Sequence, residues 1–500
     1  MRTILTPGQM RALERRAFEL GVPPLLLMEN AARAAHALFA ELLGGVAGKK
    51  VLYLIGSGNN GGDGLAMARL CLLDGGEPAV LLVSKPRTPD AQANLGYVNA
   101  LGIPARAWAP GKPVLSEPRP DAVVEAVYGT GFHGALPDAE AMLAREVSAS
   151  GVTVFAVDAP SGMDSLTGAV AGEAIGAAHT IALGCLKTGL CLTDRPELRG
   201  ALHAVDIGVP TAAWDALGKE TLLTALEPAD LSERLPRRPA HAHKGDSGRV
   251  LMYMGSLGLA GAAGMAAQAA LACLRAGAGL VTVACEEELI PILQALAPNA
   301  MCVPIGQAVS RPPRYDVFAV GCGLGQSEAV WNNIQALWRP ELPSVWDADA
   351  LNLLAKTPVA LGARALMTPH PGEAARLLGK SVTDVTVSPL RAAEELARKY
   401  DCAVVLKGAV SVILGGGVSA LNLEGSPALA KGGSGDALTG VIAALIAQQR
   451  ESAPAEAARA ACLWFGMAGK EAERRLGVLS PLTGDVIDCL SAVALRAEGA

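Results

Sequence analysis

Val51-Leu52-Tyr53-Leu54-Ile55 runs directly into Gly56-Ser57-Gly58-Asn59-Asn60-Gly61-Gly62-Asp63-Gly64. A short aliphatic run closed by glycines and followed by a helical pattern reads as a buried strand. Its backbone turns sharply to meet a ligand at the start of a helix. Upstream, helical patterns cover residues 7–43, opened by a capping box at Thr6-Pro7-Gly8-Gln9. Further strand-like runs follow at Ala79–Val83, Ala122–Tyr128, Val152–Val157, His179–Leu183 and Ala201–Val205, most of them separated by helical stretches. Strands alternating with helices predict a parallel sheet covered on both faces. The proline-containing segment 210–239 loses the rhythm, which then restarts. Strand patterns recur at Arg249–Met254, Leu280–Ala284, Val317–Val320, Ser344–Asp347, Ala365–Met367, Ala403–Lys407 and Ser411–Leu414. The expectation is two α/β domains, each a three-layer α/β/α sandwich, over residues 1–212 and 235–500, with a linker at 213–234.

The bulk properties agree with this division. A chain of 500 residues exceeds one ordinary core. Hydrophobic residues make up 51% and charged residues 18%, so large cores are expected and disorder is not. The formal charge of −6, without a basic stripe, predicts no nucleic-acid partner and favours small molecules. Ten cysteines without a C-x-x-C pair read as buried thiols in a reducing, cytoplasmic setting. No signal peptide is expected. The apolar stretch Leu257–Leu274 is broken by glycines and a glutamine, so a buried helix is expected there and no membrane association. Folds of this class commonly form symmetric homo-oligomers.

The loop at 56–64 contains G-x-G-x-x-G, and taken alone it admits an NAD(P)-dependent dehydrogenase. The following strand ends in Ser84-Lys85-Pro86-Arg87, whose cations could hold a 2′-phosphate, so that reading stays open. Asn59, Asn60 and Asp63 say more, because they offer amide and carboxylate groups where a hydride-transfer loop needs bare backbone. A second glycine loop, Gly129-Thr130-Gly131-Phe132-His133-Gly134, and a third segment, Asp158-Ala159-Pro160-Ser161-Gly162-Met163-Asp164, also follow strands. Loops at the carboxyl ends of parallel strands converge on one crevice.

Together with Met28-Glu29-Asn30-Ala31-Ala32 upstream, these motifs resemble the YjeF N-terminal family, the NAD(P)HX epimerases, over about residues 1–210. The resemblance implies a Rossmann-like domain acting on hydrated NADH and NADPH (NADHX and NADPHX). It implies substrate binding by Asn59, Asn60, Gly61, Gly62, Asp63, Gly129, Thr130, Gly131, Phe132, His133, Gly134, Ala135 and Asp158. It also implies a potassium ion held by Asn60 and Ser161, with Glu125 where the family usually carries aspartate. Inverting the hydroxylated C6 of a reduced nicotinamide needs an acid or base beside that carbon, and Asp158 is the candidate. A turn aspartate before Pro160 is the bland alternative. Lys187 is a second candidate, balanced against a solvated surface charge.

In the second half, His243-Lys244-Gly245-Asp246-Ser247-Gly248 leads to Gly255-Ser256-Leu257-Gly258-Leu259-Ala260-Gly261-Ala262. Gly321-Cys322-Gly323-Leu324-Gly325, Asp347-Ala348-Asp349-Ala350-Leu351-Asn352 and Thr368-Pro369-His370-Pro371-Gly372-Glu373 follow, and Lys431-Gly432-Gly433-Ser434-Gly435-Asp436 enters a helix. Glycines at a helix start expose N–H groups on which the helix dipole acts, an anion hole suited to a transferring phosphoryl group. Asp436 lies where a carboxylate could take the proton of a substrate hydroxyl.

These motifs resemble the ribokinase-like superfamily and, within it, the YjeF C-terminal family of ADP-dependent NAD(P)HX dehydratases, over about residues 235–500. The resemblance implies that Ala262, Gly323, His370 and Asp436 contact the hydrated cofactor. Lys407, Gly408, Ala409, Val410, Ser411 and Gly435 would bind the nucleotide, with Asp436 catalytic. ADP is the implied co-substrate, although Lys407 and Gly435 suit ATP equally, and Glu373 is placed to orient magnesium-bound water. Two other readings remain at this point: a kinase that phosphorylates a small alcohol and stops, and an N-terminal domain that only binds.

Overall fold

The computed structural model describes residues 1–115, 118–218, 222–257 and 260–499, without the side chains of residues 260 and 262. The chain divides into two compact units, Arg2–Leu222, and Leu223–Ala500 together with Met1.

In the N-terminal unit the strands are β1 (Arg2–Leu5), β2 (Lys50–Ile55), β3 (Glu77–Leu82), β4 (Ala105–Ala107), β5 (Ala122–Ala126), β6 (Thr153–Val157), β7 (His179–Leu183), β8 (Leu186–Lys187) and β9 (Ala201–Val205). A parallel sheet runs β4-β3-β2-β5-β6-β7-β9, and β1 pairs with β8. The strands alternate as a sheet buried on both faces requires. Val51, Tyr53 and Ile55 join one core cluster, whereas Leu52 and Leu54 join another. The first cluster is covered by helices α1 (Pro7–Glu19), α2 (Pro24–Leu43) and α3 (Asn59–Leu73). The second receives Leu143, Ala144 and Val147 of a helix at Asp138–Ala149. The order reverses between β2 and β5, and that switch point opens the crevice beyond their carboxyl ends.

The C-terminal unit adds β10 (Leu223–Ala225), β11 (Arg249–Tyr253), β12 (Leu280–Cys285), β13 (Met301–Pro304), β14 (Val317–Val320), β15 (Ser344–Trp346), β16 (Ala365–Met367), β17 (Ala403–Leu406), β18 (Ser411–Gly415) and β19 (Val418–Asn422). Their order is β13-β12-β11-β14-β15-β16-β17-β18-β19-β10, parallel from β13 to β17, with β18 antiparallel to both its neighbours. The helix Ser434–Gln448 packs closely on Ala260–Arg275. A Cβ at Gly440 would stand 2.1 Å from the Ala269 carbonyl oxygen, so only glycine fits this crossing.

Part of the expected linker is ordered structure. Residues 211–217 form a 3₁₀ helix, and β10, inside the 213–234 stretch, pairs in parallel with β19. Its three residues are too few to show a strand period in the sequence. A helix occupies Ala260–Arg275, as expected for the apolar stretch, while residues 258 and 259 lie outside the described residues. Among the described residues no helix is long and apolar enough to cross a membrane, and all ten cysteines are free thiols.

Candidate active sites

Residues Asn59–Asp63, expected in a loop, form the first turns of α3, capped by Gly58. The tight turn is spent on residues 56–58 alone. Asn60 thereby points both amide atoms into a buried space where, among the described residues, they find no hydrogen-bond partner. A buried amide left unsatisfied is costly and marks a place prepared for a ligand. The second loop meets it there: a Cβ on Gly129 would lie 3.2 Å from Asn60 Cγ and equally far from Asp158 Oδ2.

Asp158 stands at the end of β6 with a left-handed φ of 68°, a strained conformation for a residue with a side chain. Its carboxylate accepts from Thr130 N at 3.2 Å and Leu183 N at 3.3 Å, and is ion-paired with Lys187 Nζ at 2.5 Å. Lys187 is 1% exposed and also donates to the Leu183 carbonyl, so it is a buried site group and not a solvated charge. Asp63 is fully enclosed. Burial, then the neighbouring charges of Asp158 and Glu14, hold its carboxyl well above the usual range.

A cavity of about 590 Å³ lies over these groups. Asn59, Asn60, Asp63, Gly129–His133, Asp158 and Lys187 line it, whereas Gly61, Gly62, Gly134 and Ala135 do not. His133 is turned to Asp164, at 2.7 Å, and Phe132 packs into the core beneath. Helix α1 supplies lining residues that the motifs did not signal, Met10, Arg11 and Glu14. The capping box gave the helix, but nothing local shows which of its faces meets a ligand.

Glu125 lies behind the cavity, wholly buried. It accepts from Val127 N at 2.9 Å and Ser161 N at 3.1 Å, and the Ser161 hydroxyl donates to it as well. Burial raises its carboxyl to about 7 in spite of these donors. Glu125 and Ser161 present buried oxygens to one another, and the Asn60 amide oxygen is unpartnered among the described residues; all three are donors of the type a hard cation takes.

In the C-terminal unit the motifs after β14, β15, β16 and β17 meet the glycine turn before Ser434. Asp347, 1% exposed, accepts from Lys407 Nζ at 2.7 Å and from Thr439 Oγ1 at 2.9 Å. Lys407 Nζ passes beside Gly435, beneath the expected anion hole. Burial opposes its charge, but Asp347 and Glu373 outweigh it and hold the ammonium above its usual value. Gly433 caps the helix with φ 90°, and Asp436 lies in its first turn. The Asp436 carboxylate lies within 4.8 Å of the buried Cys322 thiol. Burial raises the Asp436 carboxyl, and Asp347 adds to this while the thiol opposes it.

The remaining motif residues act as ties. Asp349 accepts from Gly325 N at 2.9 Å and anchors the loop that carries Gly323. Asn352 accepts from Arg376 at 2.9 Å and fixes the helix Pro371–Leu378. His370 is exposed and caps that helix, accepting from Gly372 N at 3.0 Å, and its own N–H donates to Glu373 at 2.8 Å. Gly408 and Ala409 are exposed in the β17–β18 turn, Val410 and Ser411 half-buried beside them. The Ala262 side chain lies outside the described residues. Lys431 donates to the Leu479 carbonyl at 2.9 Å and Thr483 to Gly432 at 3.0 Å, so the C-terminal segment braces the glycine turn.

Glu373 gives a test of this arrangement. It is 5% exposed, and burial, only partly offset by Lys407, raises its carboxyl from 4.5 to about 7. A raised folded value means the folded chain binds the extra proton. The stability from this group is complete below pH 4.5 and is lost as pH rises towards about 7. Glu373→Gln keeps the cap acceptor without the titration. Urea midpoints of the variant are therefore expected to vary less with pH across that window than those of the wild type. Parallel profiles would mean that Glu373 is ionised at no cost.

Comparison with known proteins adds the following. Residues 25–189 match the family described as YjeF-related protein N-terminus, and residues 250–491 match NAD(P)H-hydrate dehydratase. The chain is 36% identical to the bifunctional NAD(P)H-hydrate repair enzyme Nnr of Moorella thermoacetica, covering 99% of this chain and 97% of that one. Identity to the Escherichia coli enzyme of the same name is 35%, over 98% and 94%. Among solved structures, the ADP/ATP-dependent NAD(P)H-hydrate dehydratase of Bacillus subtilis, co-crystallised with ATP and Mg2+, aligns with TM-score 0.50 and 28% identity. It covers 55% of this chain and 99% of that one.

Proposed function

The chain belongs to the bifunctional NAD(P)H-hydrate repair enzymes, with an epimerase and an ADP-dependent dehydratase half, and from that premise we propose how its residues divide the work. The epimerase occupies residues 1–212 and the dehydratase 235–500, and β10 of the intervening 213–234 joins the dehydratase sheet. The first interconverts the R and S forms at C6, and the second consumes the S form. A stereospecific dehydratase alone would leave half of the damaged cofactor untouched.

In the dehydratase, Asp436 takes the C6 hydroxyl proton while that oxygen attacks the terminal phosphorus of ADP, releasing AMP. The developing negative charge would be met in the Gly432–Asp436 turn by the N–H groups other than that of Ser434, which donates to the Lys431 carbonyl. Lys407, with Gly408–Ser411, holds the nucleotide, and Gly323, His370 and Ala262 hold the hydrated ring. Loss of phosphate from C6 and a proton from C5 then restores the double bond. Magnesium, as carried with ATP in the Bacillus subtilis structure, would be met through water by Glu373.

In the epimerase, the α3 amides and the Gly129–Ala135 loop hold the substrate, and Asp158, oriented by Lys187, acts as an acid or base beside C6. Potassium would be held by Asn60, Glu125 and Ser161, and when bound it supplies a fixed positive charge beside the substrate. The single observation behind the epimerase reading is the close approach of the Gly129 backbone to both Asn60 and Asp158, each of which a Cβ on Gly129 would meet at 3.2 Å.

The test is chromatography of mixed NADHX epimers with the protein, ADP, magnesium and potassium. Both epimers should disappear as NADH and AMP form. Asp158→Ala should spare the S form alone as substrate, and sodium in place of potassium should slow only the R form. Loss of S alone by the wild type would refute the epimerase assignment. A stable phosphorylated product without NADH would favour the kinase reading.

A further inference from the structure

Helix α1 brings into the N-terminal cavity a carboxyl group that none of the glycine motifs contains. Met10, Leu13 and Ala17 bury one face of the helix and so fix its rotation. Glu14 is left half-buried on the cavity wall next to Arg11. The charges it faces are Asp158 and Lys187, which line the same cavity, and Arg11 on its own helix. Asp63, on α3, is close enough to respond to Glu14 in turn. Burial and then Asp158 raise the Glu14 carboxyl, against the pull of Lys187 and Arg11. The cavity thus pairs a carboxyl biased towards its protonated form with a carboxylate ion-paired to lysine. Two titratable groups with diverging environments are the usual equipment of an acid and a base.

We propose that Glu14 is a second catalytic residue of the epimerase, acting on the C6 hydroxyl from helix α1 while Asp158 acts from the end of β6. The inference rests on the epimerase reading above. Glu14 gives its proton to the hydroxyl, the C6–O bond breaks, and water leaves with the bonding pair. The N1 lone pair forms the N1=C6 bond of an iminium ion. Water then adds to the other ring face: its oxygen makes the new C6–O bond, the π pair returns to N1, and its proton passes to Asp158. Transfer of that proton through water to Glu14 restores both groups, with no change in oxidation state.

The experiment uses the full chain, Glu14→Gln and Glu14→Asp, each given the R epimer in oxygen-18 water with potassium. R-to-S conversion and label at C6 are followed by chromatography and mass spectrometry. Dehydration of the S epimer with ADP, on the same samples, reports that the C-terminal unit is folded, and a urea titration matching the wild type reports the same of the N-terminal unit. Glu14→Gln should slow interconversion and labelling together by about 100-fold or more, Glu14→Asp should recover part of both, and S dehydration should hold. Wild-type interconversion in Glu14→Gln overturns the proposal, as does interconversion by the wild type without label. A wild type that leaves the R epimer unchanged overturns the epimerase reading itself.

Discussion

Asp436→Ala should lower ADP-dependent conversion of the S epimer to NADH by about 10²–10⁴-fold, the usual contribution of a positioned general base, while R and S continue to interconvert. The effect should fall on kcat. Lys407 stays paired with Asp347 at 2.7 Å, and neither bond of Asp347 involves Asp436, so the floor under the glycine turn stays in place. The variant loses only the carboxylate beside the Cys322 thiol, and a thiol is a weak enough donor to be left alone. Nucleotide affinity, measured by calorimetry, should change little. Dehydration at the wild-type rate would remove Asp436 from the reaction. A matching collapse of ADP binding would make it a nucleotide ligand instead.

Lys187→Met should produce the largest stability effect in the N-terminal unit, about 3–5 kcal/mol, because it strands the buried partner of an ion pair. Lys187 is 1% exposed and its ammonium has two acceptors, Asp158 and the Leu183 carbonyl. Methionine fills most of the volume but satisfies neither. Adding Asp158→Asn removes the stranded charge, so the double variant should regain much of the loss in urea titrations. Epimerisation should be absent in both. Equal stability of wild type and Lys187→Met would show that water reaches Asp158 and replaces the lysine.

The strand runs and the glycine loops after β2, β5 and β6 were legible because a buried parallel strand announces itself by an unbroken apolar run and the turn that ends it. Glycines at 61, 62 and 64 argue against a helix and predict a loop over Asn59–Asp63. In the fold, that helix start is held by its neighbours, not by propensity. Lys187 was evenly balanced in the sequence because lysine burial depends on a partner more than twenty residues away, which no local pattern records. Glu14 was invisible for the same reason. Its helix was plain, but the face turned to the cavity is set by packing. The broken rhythm of 213–234 predicts a linker, yet β10 within it pairs with β19 across nearly two hundred residues.

The glycine at 440 has a consequence for inheritance. It sits one turn beyond Asp436, on the face pressed against the Ala269 carbonyl. Any larger side chain there would push the helix outward and carry the Asp436 carboxylate, the proposed base, with it. Selection on the proposed chemistry would therefore reach a residue whose constraint is packing against backbone. Damaging variants in a population should cluster along this hidden seam as readily as in the cleft.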